Sequence, residues 1–202
     1  VFYLAGLVCW NYFQDCITKC SDTFNANQQI FGKVYFPRLV VPFSIVISNL
    51  IKLGIQFLLF FIVYLYYAFT LGGFNVNWTI CLLPLLIILL ACIGLGFGLV
   101  ISSMTTKYRD LRFLVSFGVQ LWMYATPVIY PLSVMKENYP DKIWVIVANP
   151  LTAITETFKY GFTGVGVFEW SYLLYSIVFA VVVLLLGIMV FNRVQKNFMD
   201  VI

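Results

Sequence analysis

Long apolar stretches alternate with short polar ones along this chain. The mostly apolar runs cover about 1–20, 43–69, 79–103, 113–130 and 170–191. A helix that crosses the ~30 Å hydrocarbon layer of a bilayer needs about 20 apolar residues. Unpaired backbone groups are not tolerated in lipid, and no ten-residue alternating pattern indicates barrel strands. The pattern therefore predicts an all-α integral membrane protein with five transmembrane helices, the first being the weakest.

Composition places the whole chain in the membrane class. Hydrophobic residues make up 62% of the 202 residues, charged residues make up 10%, and the mean hydropathy is +0.97. So little polar surface cannot cover a water-soluble globule. The net charge of +4 is small and its cations are scattered between apolar runs, so no nucleic acid is expected as a partner. We expect one transmembrane domain over residues 1–202.

Cysteine and histidine usage gives no metal site. The chain has no histidine, and its five cysteines mostly lie in or beside apolar runs: Cys9, Cys16, Cys20, Cys81 and Cys92. Cys16 and Cys20 share a helical face, which is compatible with a metal or a disulfide, but small packing groups are the favoured interpretation.

The distribution of Lys and Arg predicts the orientation. Nine of the twelve cations fall on one side of the predicted helices, against Lys136, Lys142 and Lys159 on the other. By the positive-inside rule the richer side is cytoplasmic, so residue 1 lies outside and the C-terminus inside. Val1 stands directly inside an apolar run, so we expect upstream residues with one further span, giving six in the intact protein.

A compact basic segment, "FGKVYFPRLVVP", separates the first two runs. Phe24 and Val34 can share one helical face, and Pro37 and Pro42 end the helix. We predict a cytoplasmic amphipathic helix at about 24–36 that is available to a cytosolic partner. An ordinary basic loop anchored by snorkelling cations is the alternative.

A second basic segment, "TTKYRDLRFL", precedes the fourth run. Lys107, Arg109 and Arg112 can meet lipid phosphates, and Asp110 is favoured by the dipole of the helix that it begins. A purely topological role is the alternative.

The fourth run has an unusual polar and aromatic stripe. At 100° per residue, one face receives Phe113, Phe117, Gln120, Tyr124 and Pro127. Trp122 points the opposite way. Sugars stack on aromatic rings and hydrogen-bond to amides, so the stripe is a candidate glycan-binding wall, although helix packing explains aromatic stripes too. Weaker candidates for the same wall are Trp10, Asn11 and Tyr12.

A short helix is predicted within the region of about 131–169. Asn149 is a suitable N-cap, Pro150 suits the first helical position, and the helix can run to Gly161. It is too short to span a bilayer, and an amphipathic helix resting on the outer leaflet is the simplest interpretation. Glu156 and Lys159 fall off its apolar face.

Two further patterns have ordinary explanations. The glycines of "GLGFG" lie within an apolar run with no preceding strand, so we expect close helix packing and no phosphate loop. Asp15 and Lys19 are four residues apart, which predicts an ion pair at a helix end.

Several segments together resemble a known family. They are "CWNYF", "NANQQIFGKVYFPRLVVP", "TTKYRDLRFL", "QLWMYATPVIYPLSV" and "ANPLTAITETFKYGFTG". In this order they resemble the membrane subunit of ABC-type polysaccharide exporters, which move O-antigen, capsule or teichoic-acid chains. The resemblance covers nearly the whole chain, from the family's second span to its sixth. The family's N-terminal amphipathic helix and first span are lacking.

The resemblance implies a bacterial cytoplasmic (inner) membrane protein that forms a homodimer and recruits two copies of a nucleotide-binding ATPase subunit. ATP and Mg would be bound by that partner, with no cofactor or catalytic residue in this chain. The segment at about 24–36 would be the coupling helix, with contacts from Asn27, Gln28, Lys33, Tyr35, Pro37 and Arg38. The region at about 131–169 would form re-entrant gate helices, with Tyr130, Tyr139 and Tyr160 as gate aromatics. The cations at 107–112 would meet the pyrophosphate-linked lipid carrier of the glycan.

Three functions follow as hypotheses. The first is export of a lipid-linked polysaccharide, with O-antigen of lipopolysaccharide the nearest match. The second is export of a small molecule such as a drug or haem. The third, an enzyme acting on lipid-linked sugars, is disfavoured because the chain has no histidine and only eight acids, none paired within a span.

Overall fold

A computed structural model describes residues 1–27, 37–71, 77–106, 108, 110–138 and 143–197. Within these ranges the regular secondary structure is helical, without a strand. The elements are α1 Phe2–Ser21, α2 Thr23–Ala26, α3 Val40–Leu71, a 3₁₀ helix Trp78–Leu82, α4 Leu83–Thr105, α5 Leu111–Ala125, α6 Leu132–Asn138, α7 Ile143–Val147, α8 Pro150–Thr163 and α9 Trp170–Asn197.

Three helical stretches are long and apolar enough to cross a bilayer: Val40–Thr70, Trp78–Thr105 and Trp170–Gln195. This agrees with the predicted all-helical membrane class. Helices also occupy the other two predicted runs, but α1 has 20 residues and α5 only 15. At 1.5 Å per residue α5 is about 22 Å long. The number of helices that cross the bilayer stays a prediction.

Helix α5 ends because of its sequence. Thr126, the residue before Pro127, has extended backbone angles, φ −101° and ψ 139°. Proline disfavours the helical conformation in the residue before it, so the helix stops at Ala125. The polypeptide then turns back towards the bundle.

Helix α4 lies at the centre of the bundle, packed between α1 and α9. Its glycines permit this. A Cβ on Gly94 would lie 2.8 Å from the Cβ of Cys16, and one on Gly98 would lie 2.5 Å from the Cβ of Cys20. A Cβ on Gly96 would lie 2.8 Å from the Val183 backbone of α9. The expected packing roles of the glycines and of these two cysteines are confirmed.

Polar contacts join α1 to α3. Lys52 pairs with Asp15 at 2.5 Å, and Lys19 donates to the Oδ1 atom of Asn49 at 2.7 Å. The expected Asp15–Lys19 pair is therefore wrong, because each side chain finds its partner on the neighbouring helix and not along its own.

The long helices alternate in direction. We call the end of the bundle that holds Ser21, Val40, Thr105 and Leu111 the basic end, and the opposite end the distal end. Arg112 pairs with Asp22 at 3.1 Å at the basic end. Phe24 stacks there on Phe191 of α9, with ring centroids 4.6 Å apart. At the distal end the rings of Trp78 and Trp170 lie 5.9 Å apart.

Candidate transport surface and distal hairpin

Helix α5 exposes the predicted stripe. Phe113 is 74% exposed, Phe117 61% and Tyr124 67%, and Gln120 between them is exposed as well. Trp122 faces the opposite way, with its ring centroid 5.4 Å from those of Phe13 and Phe97. The protein thus packs one face of α5 against α1 and α4 and leaves the stripe uncovered.

The predicted wall residues on α1 lie elsewhere. Trp10 and Tyr12 are buried inside the bundle, and the Trp10 indole donates to the Oε1 atom of Gln14 at 3.1 Å. Asn11 is half-buried. Pro127, the last predicted member of the stripe, is also buried. The stripe observed on α5 therefore consists of the four residues from Phe113 to Tyr124, and a glycan-contacting role for the α1 residues stays a prediction.

A cleft opens at the basic end between α1, α3 and α5. It begins beside Phe113, the first ring of the stripe, and its charged lining residues are Lys19, Asp22 and Arg112. The sequence does not indicate that Lys19 and Asp22 belong to this site, because they lie at the end of α1, far from α5 in the chain. Asp110 is exposed and precedes α5 as its N-cap residue. Lys107 and Arg109 lie outside the described residues.

The structure describes the two ends of the predicted coupling segment, up to residue 27 and again from residue 37. Asn27 donates to the Thr23 carbonyl at 2.9 Å, and Pro37 is exposed. Arg38 is buried and donates to the carbonyl of Gln195, near the end of α9, at 3.4 Å. A cation at this position complements the negative end of the α9 dipole. Gln28, Lys33 and Tyr35 lie outside the described residues.

Helices α7 and α8 form what we call the distal hairpin, residues 143–163. Asn149 caps α8, with its side chain accepting from the amide of Leu151 at 3.1 Å and with Pro150 next in the chain. The predicted N-cap is confirmed. The helix runs two residues past Gly161, to Thr163, and is capped by Gly164, whose φ of 67° is readily adopted by glycine.

The tip of the distal hairpin, at Asn149 and Pro150, lies deeper inside the bundle than the distal end. Ser176 donates to the Pro150 carbonyl at 2.7 Å, and it is six residues, about 9 Å, inside the start of α9. The other end of α8 lies nearer the distal end, since Asn77, just before the 3₁₀ helix, donates to the Tyr160 carbonyl at 3.0 Å. At the tip, Asn149 donates to the hydroxyl of Thr126 at 2.8 Å. Helix α8 therefore rises from the broken end of α5 towards the distal surface.

Nearly all of α8 is buried, including its charged residues. Lys159 is 0% exposed and Glu156 is 1% exposed, and they pair at 3.2 Å. The Lys159 ammonium also donates to the carbonyl groups of Pro127 and Tyr130. Both residues were predicted to lie off the apolar face of this helix, without a function. Only their three-residue spacing indicated a pair.

Burial works against both charges of this pair. It raises the pKa of the Glu156 carboxyl, and the neighbouring Lys159 ammonium opposes that rise. Burial lowers the pKa of Lys159, which the carboxylate of Glu156 opposes in turn. Each group thus opposes the loss of the other's charge, and a variant that removes one leaves the other without its ion-pair partner.

Of the described gate tyrosines, Tyr130 precedes the distal hairpin and Tyr160 belongs to its helix α8. The Tyr130 hydroxyl donates to the carbonyl of Tyr124 at 3.4 Å, and the Tyr160 ring stacks on Phe168 with centroids 6.3 Å apart. Both tyrosines are half-buried. Tyr139 lies outside the described residues.

Comparison with known proteins gives related membrane proteins. Two O-antigen export system permease proteins RfbA of Klebsiella pneumoniae are 28% and 27% identical to this chain, over alignments that cover all of it and 75% of each relative. A protein of the same name from Myxococcus xanthus is 25% identical over 158 residues, which are 78% of this chain and 58% of the relative.

The family comparison agrees with these relatives. The profile of the ABC-2 type transporter family matches residues 1–163, from α1 to the end of the distal hairpin. The matched part includes the α5 stripe and the buried ion pair. The chain is a multi-pass membrane protein of the ABC-2 type transporter family.

Proposed function

We propose that this chain is the transmembrane subunit of an ATP-driven ABC transporter that exports a lipid-linked polysaccharide, most closely an O-antigen. The observation that carries the proposal is the uncovered α5 stripe, in a chain related over its whole length to permeases named for O-antigen export. Three rings and an amide follow one another along α5 at intervals of about 4.5–6 Å. Such neutral, repeated contacts suit a sugar chain that slides from one ring to the next.

The basic end is the cytoplasmic mouth of this path. The cleft beside Phe113 is lined by two cations, Lys19 and Arg112, and by the carboxylate of Asp22, and its net positive charge favours the phosphate groups of a lipid carrier. Lys107, Arg109 and Asp110 belong to the same end by sequence. With this end inside, five helices cross the bacterial inner membrane and the C-terminus is cytoplasmic, in agreement with the positive-inside rule.

The distal hairpin is a re-entrant gate at the outer side. Its helix α8 is enclosed by protein where a helix resting on a leaflet would expose one face, and its tip reaches the broken end of α5. Non-helical backbone at membrane depth is tolerated where it is buried in protein, as Thr126 and Val128 are here. Tyr130, Tyr139 and Tyr160 border the opening.

Two copies of this chain form a homodimer with two copies of a separate ATPase subunit, which binds ATP and Mg. The uncovered α5 faces of the two copies line the path between them. The segment at about 24–36 contacts the ATPase through Asn27, Gln28, Lys33, Tyr35 and Pro37. Arg38 anchors that segment to α9, so that movement of the ATPase reaches the bundle.

Inverted membrane vesicles test the proposal. The full-length protein, co-expressed with its ATPase, is supplied with polyprenyl-diphosphate-linked glycans of increasing length. We expect ATP-dependent uptake of both short and long chains, and none when the ATPase is omitted. A transporter that accepts small molecules but rejects the long glycans, or a chemical product formed by the membrane subunit alone, would contradict the proposal.

A further inference from the structure

The buried ion pair of α8 has no part in the path described above. We infer that Glu156 and Lys159 are positioning residues: their pair ties the distal hairpin to the segment after α5 and so fixes the outer end of the α5 stripe. The inference rests on the proposed function, in which that end is the exit for the glycan. Its structural part is tested separately below.

The contacts of Lys159 match its chemistry. An ammonium group has three protons to donate. Its three acceptors are Oε1 of Glu156 at 3.2 Å, the carbonyl of Tyr130 at 3.4 Å and the carbonyl of Pro127. The ring of Phe2 covers the ammonium with its centroid 4.2 Å away, a cation–π contact from the start of α1. One cation therefore holds three parts of the chain together.

These contacts continue to the stripe. The Tyr130 hydroxyl donates to the carbonyl of Tyr124, the last ring of the stripe, at 3.4 Å. At the other end of α8, Asn149 donates to the Thr126 hydroxyl at 2.8 Å. Helix α8 is thus attached near both of its ends to residues 124–130, and a displacement of the distal hairpin displaces the end of the stripe.

Variants that keep the size of a side chain but remove its charge separate positioning by the pair from simple filling of space. Removing one partner of a buried pair leaves the other charge without compensation, whereas replacing both by neutral groups of similar size is often tolerated. Glu156→Gln keeps the shape of the side chain, and Lys159→Met keeps most of its length. The two single variants are therefore expected to loosen this region. The double variant has no uncompensated charge, but it also lacks the ammonium that donates to the Pro127 and Tyr130 carbonyls, so we expect it to stay loose.

A reporter cysteine measures the positioning directly. Val128 is fully buried beside the pair, and a Cβ on Gly6 of α1 would lie 2.6 Å from its carbonyl oxygen. In the full chain carrying Cys81→Ser, Val128→Cys is treated from the distal side with a bulky, membrane-impermeant maleimide. Variants without Val128→Cys give the background from the native cysteines. Lys136→Met, which removes an exposed cation on α6, is the matched control.

We expect each single variant to be labelled about tenfold faster than the parent, because a buried charge that loses its partner loosens the packing around it. The double variant should also be labelled faster than the parent, because it lacks the ammonium that bonds to the segment after α5, and Lys136→Met should not change the rate. The inference is overturned if Glu156→Gln and Lys159→Met label no faster than Lys136→Met, or if the double variant labels at the parental rate, which would show that only an uncompensated charge loosens the region. Because Glu156→Gln retains the native volume, it decides the question even where Lys159→Met does not accumulate.

Glycan export by the same variants separates the inference from the proposed function. We expect export to fall about tenfold in each single variant and to stay low in the double variant, in parallel with the labelling rates. Labelling that changes as expected while export stays parental would leave the positioning role intact and would exclude an exit at this end of the stripe.

Discussion

The backbones of Gly187 in α9 and Gly96 in α4 touch. A Cβ on Gly187 would lie 2.5 Å from the carbonyl oxygen of Gly96 and 3.0 Å from its Cα. Apolar side chains gain little from leaving lipid for another helix, so association within a bilayer depends on close van der Waals contact. The contact between these two glycines therefore fixes the central helix of the bundle against α9.

Gly187→Ala is expected to destabilise the bundle. The new methyl group would overlap the Gly96 backbone, which cannot rotate away as a side chain can, and overpacking typically costs about 1–3 kcal/mol. Thermal unfolding of the detergent-purified protein measures the effect. Gly118→Ala is the control, since among the described residues no atom beyond its two chain neighbours and the α5 backbone lies within 4 Å of its Cβ position. Equal melting temperatures for the two variants would contradict the close-contact role.

Tyr124→Ala is expected to reduce glycan export at least severalfold without changing the melting temperature. The side chain is 67% exposed, so its removal costs little packing but takes one ring from the stripe. A stacking contact of an aromatic ring contributes about 0.5–1.5 kcal/mol. Tyr66→Ala on α3 is the matched control, because Tyr66 is also 67% exposed but lies outside the stripe. Comparable export by both variants would argue against a path along α5.

Lys33→Ala and Arg38→Ala are expected to act differently. Arg38 is buried against the end of α9, so Arg38→Ala should lower the melting temperature, with about 1–2 kcal/mol lost from the contact with the helix terminus. Lys33→Ala should leave the melting temperature unchanged and reduce the stimulation of the ATPase by the membrane subunit. Lys136→Ala at the distal end serves as the control for both. Normal ATPase stimulation in Lys33→Ala would exclude Lys33 from the coupling contact.

The Asp15–Lys52 pair is expected to show compensation. Asp15→Asn leaves Lys52 without its carboxylate, and Lys52→Gln leaves Asp15 without its cation, so each single variant should lower stability by about 1 kcal/mol. The variant with both changes should be closer to the parent. Melting temperatures of all four proteins in one detergent measure this coupling. Strictly additive losses would show that the two side chains do not stabilise each other.

Local features of this chain follow from the sequence by itself. The apolar runs predicted helices, the cap at Asn149 was predicted from Asn-Pro, and the opposite orientations of Trp122 and the stripe followed from the helical period. The close packing of Gly94, Gly96 and Gly98 also followed from their place within an apolar run. Each of these depends on residues within a turn or two of one another, and on the requirement that backbone groups be paired in lipid.

Only the tertiary structure decided which side chains meet. Asp15 pairs with Lys52 and not with Lys19, Trp10 is enclosed while Phe117 is uncovered, and the charged residues of α8 are buried together. The sequence of a helix whose surface is apolar nearly all round does not indicate which helix packs against it, since lipid and protein offer similar apolar contacts. The partners of its few polar groups are therefore set by which helices lie side by side, and that arrangement depends on contacts between residues far apart in the chain.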